Sequence, residues 1–275
     1  RGWWRNRWTC RQGLAHGTKF AYPKPMLNAL TKLFGKAAPA APSINGTQWA
    51  RVEAGLPFLD HLTLADRARL REMALEFIAQ KEWHGAQGLE LTPGIQLSIA
   101  LQACLPVLEL GLDSYRGWVG VVVYPGDFVV PRKLMSEDGV MHEFDDQVAG
   151  EAWEGGPVLL SWFDRPEAAD GMNVVIHEFA HKLDMLNGPP DGLPPLHEGM
   201  KRQAWIDAFE PAYADFCARV DDGEETWIDP YAAEHPAEFF AVTSEVFFEA
   251  PDLLRHEYPA VYEQLRQFYR QDPLR

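Results

Sequence analysis

The sequence predicts an α+β fold: a small mixed sheet packed on a buried helix, with a largely helical remainder. Three observations carry that expectation. Two short runs rich in Val and Leu, WVGVVVY over 118–124 and VLLSW over 158–162, have strand character. Several longer segments repeat apolar residues at helical spacing. Proline, glycine and capping residues punctuate those segments where helices start and stop.

The first helix is expected over about 64–80. Thr63 stands at its N-cap with Asp66 three residues on, and Leu70, Met73, Ala74, Phe77 and Ile78 fall on one face. A second starts at Thr92-Pro93, with proline in the first turn, and runs toward Leu110 and Gly111. The Val-rich strand follows and Pro125-Gly126 breaks it; Phe128–Val130 continues the sheet. The polar stretch 134–156 reads as loop or short helices before the second strand. A long helix over 168–187 is stopped by Gly188-Pro189-Pro190. Further helices are expected over about 199–220, over 236–249 with Pro236 at the start, and through Tyr269.

Composition narrows the function. The net charge of −15 argues against phosphate-driven nucleic-acid binding. No apolar run approaches the roughly 18 residues of a membrane span. The three cysteines, Cys10, Cys104 and Cys217, have neither metal-ligand spacing nor the pattern of a disulfide framework, which suits a reducing, cytoplasmic location. Residues 1–47 are expected to be a separate N-terminal segment and linker: arginine and tryptophan crowd positions 1–11, Met26 is a candidate start, and GKAAPAAPSINGT over 35–47 reads as flexible. The domain proper is expected over 48–275.

The chemistry concentrates in HEFAH, 177–181. Residues four apart share a helix face, so His177 and His181 can turn two imidazoles toward one ion. Zn²⁺ suits neutral imidazole and, in catalytic sites, takes three protein ligands and keeps one position open. Glu178, next to a ligand but not itself one, is placed to act as general base on water. The apolar run Val174-Val175-Ile176 says the helix is buried, where unpaired polar groups are costly. A third ligand must come from downstream, and Asp184, His197, His235, Glu238 and Glu245 are candidates. Glu238 and Glu245 lie seven residues apart on roughly one face, and spacing does not choose between them. Asp184, one turn beyond His181, is also a candidate to orient a histidine.

Together HEFAHKLDMLNG, YAAEHPAEFFAVTSEVFF, QFYRQDP, LPVLELGL, YPGDFVV and GEAWEGGPVLLSW resemble the Mlc titration factor A family, over about 48–275. That resemblance implies a zinc metallopeptidase, aminopeptidase-like on short peptides, related at its catalytic core to the protease domain of anthrax lethal factor. It also implies binding of a glucose-type, Mlc-like transcriptional repressor. A repressor-sequestering protein with secondary peptidase activity is the alternative. Carried over by motif, the metal ligands fall on His177, His181 and Glu238, and the catalytic carboxylate on Glu178. Tyr231, seven residues before Glu238, matches a tyrosine able to stabilise an oxyanion. His142, in GVMHEF, corresponds to an extra ligand that fills the open metal position when substrate is absent.

Overall fold

The computed structural model describes residues 44–135, 141–162 and 172–275, with the backbone alone at 131–135 and 141–144. The expectations placed on residues 1–25, and on the segment just ahead of the long helix, lie outside the described residues. The described residues fall into two compact units, 44–162 and 172–275. Helices and a small mixed sheet are both present, so the class is α+β as predicted.

In the first unit the helices are α1 (Gly46–Glu53), α2 (Leu64–Gln80) and α3 (Pro93–Cys104). The strands are β1 (Glu82–Gly85), β2 (Gly120–Tyr124), β3 (Phe128–Met135), β4 (Met141–Val148), β5 (Gly150–Ala152) and β6 (Val158–Ser161). Thr63 and Thr92 cap α2 and α3 as expected, each hydroxyl accepting a backbone N–H three residues on. The α3 helix stops at Cys104, six residues short of Leu110, because Pro106 has no amide hydrogen to continue the ladder. One sheet has the order β1-β2-β6-β5, parallel across β1-β2-β6 and antiparallel at β5. Its central strands are buried along Val121–Val123 and Val158–Leu160, the continuous apolar pattern of a parallel sheet covered on both faces. The α2 and α3 helices pack on each other. At the end of α2, Phe77 makes edge-to-face contacts with Trp83, Tyr115 and Trp118.

The expectation of loop or short helices over 134–156 is corrected. β3 and β4 form an antiparallel ribbon in the register Phe128↔Val148 to Met135↔Met141, and β5 follows. His142 is therefore a strand residue, opposite Leu134. The charged strand MHEFDDQV lacks strict alternation, because a two-stranded ribbon does not require a buried face along its whole length.

The second unit is helical: α4 (Val174–Asp184), a 3-10 turn (Met185–Asn187), α5 (Arg202–Asp221), a 3-10 turn (Pro230–Ala233), α6 (Pro236–Glu249), α7 (Pro251–Glu257) and α8 (Pro259–Tyr269). Prolines open α6, α7 and α8, where a missing N–H costs nothing. An aromatic core joins α5, α6 and α8: Trp205 stacks on Phe209 at 4.2 Å and lies against Phe240 and Phe268. α4 and α6 pack side by side, with α4 buried from Val175 through Asp184. Among the described residues no helix is long and apolar enough to cross a membrane.

Candidate metal centre

The centre lies wholly within the helical unit and is built from the facing sides of α4 and α6. Asn173 caps α4: its side-chain oxygen accepts the Ile176 N–H at 3.0 Å, and its Nδ2 donates to Glu249 Oε1 at 2.7 Å. The cap thus ties the start of α4 to the end of α6. His235 caps α6, its Nδ1 accepting the Ala237 N–H at 3.1 Å. Glu238 then falls in the first turn, where the helix dipole favours a carboxylate.

Three donor atoms converge between the helices. His177 Nε2 lies 3.1 Å from Glu238 Oε2 and 3.1 Å from His181 Nε2, and His181 Nε2 lies 3.2 Å from the same Glu238 oxygen. Donors bound about 2.0–2.1 Å from a tetrahedral ion stand roughly 3.3 Å apart, so the triangle has the size such an ion needs. Among the described residues, this trio is the group of histidine, cysteine and carboxylate side chains arranged to hold a metal.

The surroundings favour positive charge at that point. Burial pushes the His177 imidazolium down, but Glu245, Glu238 and Glu178 outweigh it and hold its pKa well above the ordinary value. His181 shows the same balance: burial lowers it and Glu238 more than restores it. Burial pushes Glu238 up, while the two histidines hold it far below the usual carboxylate range. Three Lewis-basic atoms this close need protons or a cation among them, and nitrogen with carboxylate oxygen is a donor set that suits Zn²⁺.

Glu245 is where sequence reasoning falls short. Its Oε1 accepts from His177 Nδ1 at 2.7 Å and its Oε2 accepts the Asn173 backbone N–H. It is therefore not a third ligand beside Glu238 but the carboxylate behind His177, leaving Nε2 to face the centre. Its spacing of seven from Glu238, which put both on one face of α6, was the available signal.

The remaining candidates divide. Glu178 is buried beside the donors, and its charge acts on both histidines. Tyr231 sits in the 3-10 turn before α6, its N–H held by Asp229 Oδ1 at 2.9 Å, with its ring 5.9 Å from that of His177. Among the described residues Asp184 makes no hydrogen bond to a histidine: Oδ2 accepts the Gly192 N–H at 2.8 Å, and Oδ1 is buried without a partner there. His197 lies away from the donors, hydrogen-bonded to the Phe268 carbonyl at 2.5 Å. The side chain of His142 lies outside the described residues.

The chain is 41% identical over 223 residues to Mlc titration factor A of Klebsiella pneumoniae subsp. pneumoniae, covering 80% of this chain and 84% of that protein. It is 41% identical over 225 residues to Mlc titration factor A of Yersinia pestis, covering 80% and 83%. Residues 35–270 match the family described as glucose-regulated metallo-peptidase M90. Two helices that bring a paired-histidine motif and a downstream glutamate to one point, in a chain that matches over most of its length, place this protein in the M90 metallo-peptidase family.

Proposed function

We propose that this chain is a zinc-dependent, aminopeptidase-like enzyme acting on short peptides in the cytoplasm. The observation that supports it best is the triangle of His177 Nε2, His181 Nε2 and Glu238 Oε2, with the buried carboxylate of Glu178 next to it. These three side chains would hold the ion. When bound, Zn²⁺ supplies Lewis-acid polarisation of a carbonyl and makes water acidic enough to lose a proton near neutral pH.

The chain's own residues do the rest. Glu178 accepts the proton of the attacking water and delivers it to the departing amine. The Tyr231 hydroxyl donates a hydrogen bond to the oxygen on which negative charge develops. Tyr231 is 44% exposed and its ring lies 5.9 Å from that of His177. Glu245 keeps the His177 ring from rotating and its second nitrogen protonated.

A second role rests on the name of the relatives, Mlc titration factor A. By that likeness the chain binds an Mlc-like transcriptional repressor as well as cleaving peptides. In the alternative reading the repressor is the main client and peptidase activity is secondary.

The deciding experiment is elemental analysis of the purified protein beside a peptide-library cleavage profile. One zinc per chain is expected, lost in the His177→Ala, His181→Ala double variant, with cleavage near free N-termini. Stoichiometric zinc that survives the double change overturns the ligand assignment. Cleavage confined to internal bonds overturns the aminopeptidase reading.

A further inference from the structure

We infer that Gly192 is a spacer that sets the separation of the two ligand-bearing helices, and so the fit of the metal centre. The inference rests on the metal reading proposed above. Gly192 lies in the loop that leaves α4, and it is buried. Its φ of +82° is left-handed, which favours glycine. A Cβ built there would lie 2.5 Å from the Pro236 carbonyl oxygen and 2.9 Å from its carbon, against 3.4 Å and beyond for ordinary contact. Those are backbone atoms of the first residue of α6, two positions before Glu238, so no flexible side chain can move aside.

The loop cannot retreat easily either. Its N–H donates to Asp184 Oδ2 at 2.8 Å, at the last residue of α4 and three positions after His181. Its carbonyl accepts from Trp205 Nε1 at 3.0 Å, on α5. Trp205 is 1% exposed and Asp184 fully buried, so both anchors are fixed by packing. Asp184, Gly192 and Pro236 thus form a stack from the end of one ligand helix to the start of the other, with only glycine thin enough for the middle. A methyl group must push the start of α6 away from α4 or tear the loop from Asp184. Binding geometries tolerate about 0.5 Å of such error.

The test compares Gly192→Ala with Gly199→Ala. Gly199 shares the left-handed backbone, φ +97°, but has nothing within 4 Å of a Cβ. It therefore reports backbone strain without the wedge. Each protein is loaded with Zn²⁺ against a competing chelator, and with Co²⁺ to record the visible absorption of the bound ion. Gly192→Ala is expected to weaken Zn²⁺ at least about tenfold and to alter the Co²⁺ spectrum, while Gly199→Ala matches the wild type. Equal Zn²⁺ affinity and an unchanged spectrum in a folded Gly192→Ala overturn the inference, as does an equal loss in both variants. If Gly192→Ala does not fold, Asp184→Ala decides: it frees the loop without adding bulk, and unchanged Zn²⁺ affinity there overturns the spacer role. A wild type that takes up no Zn²⁺ overturns the metal reading itself, whereas a wild type and Gly192→Ala that bind equally overturn the spacer alone.

Discussion

Both units bury charge, and they do so in opposite ways. In the sheet-containing unit Lys81 is 4% exposed; its ammonium donates to the carbonyls of Tyr115 at 2.7 Å and Trp118 at 2.8 Å and sits 3.8 Å from the centroid of the Trp118 ring. Donors there meet acceptors and an electron-rich face, so the charge is closed off within the chain. In the helical unit His177 Nε2, His181 Nε2 and Glu238 Oε2 stand 3.1–3.2 Å from one another. Three basic atoms this close are not closed by one another; they take protons or a cation among them. Burial of charge therefore does not separate scaffold from chemistry here. What separates them is whether the hydrogen-bond inventory balances.

The largest effect is expected at Glu178, the buried charge assigned to reaction rather than to holding the ion. Glu178→Gln keeps the shape and removes the base. It is expected to retain zinc and to lose peptide turnover by at least about a hundredfold. Unchanged turnover on a cleaved peptide would make Glu178 one more structural charge, like Lys81. A smaller effect is expected at Glu245, which balances His177 from behind. Glu245→Leu should weaken zinc about 10–100-fold, as losses of such supporting carboxylates do. Glu245→Gln should recover much of this, because its amide oxygen still accepts from Nδ1. Chelator competition on the two variants checks the order; a leucine variant as tight as the wild type would leave Glu245 a packing residue.

Much of this was legible in the sequence where local chemistry dictates structure. Thr63, Thr92-Pro93 and Pro236 mark helix starts that the structure keeps, and HEFAH announces two ligands because i,i+4 spacing fixes a shared face. Other features were hidden for identifiable reasons. β1 is the four residues EWHG, too short for any alternation to register, and it exists because β2 offers it a parallel partner. α1 opens inside the segment read as linker; the Asn45–Gln48 capping box was the overlooked signal. β4 reads as a charged run, MHEFDDQV, and its strand character comes from pairing with β3, whose Phe128 and Val130 are buried. At the centre, Glu238 and Glu245 could not be told apart by spacing, since one helix face presents both. Which nitrogen of His177 each carboxylate meets depends on how α6 lies on α4, and that is tertiary.

The smallest effect on the chemistry is expected from Lys81, the charge closed off in the sheet-containing unit. Lys81→Met keeps length and loses the donors, leaving the Tyr115 and Trp118 carbonyls buried without them. That costs stability, about 1–3 kcal/mol, and should leave zinc content unchanged. The pH dependence has a definite sign. Burial pushes Lys81 down to about 8 from its ordinary 10.5. Between those values the unfolded chain binds the proton that the folded chain has released, so wild-type stability rises with pH across that window. The neutral amine still has two N–H groups for the two carbonyls, so the contacts survive deprotonation. The methionine variant lacks this rise, and the gap between the two proteins should widen from pH 8 toward 10.5. Denaturant unfolding at both ends of the window measures it. A constant gap would show that the lysine titrates as an exposed amine does, and a loss of zinc in the variant would show that the closed charge also supports the open one.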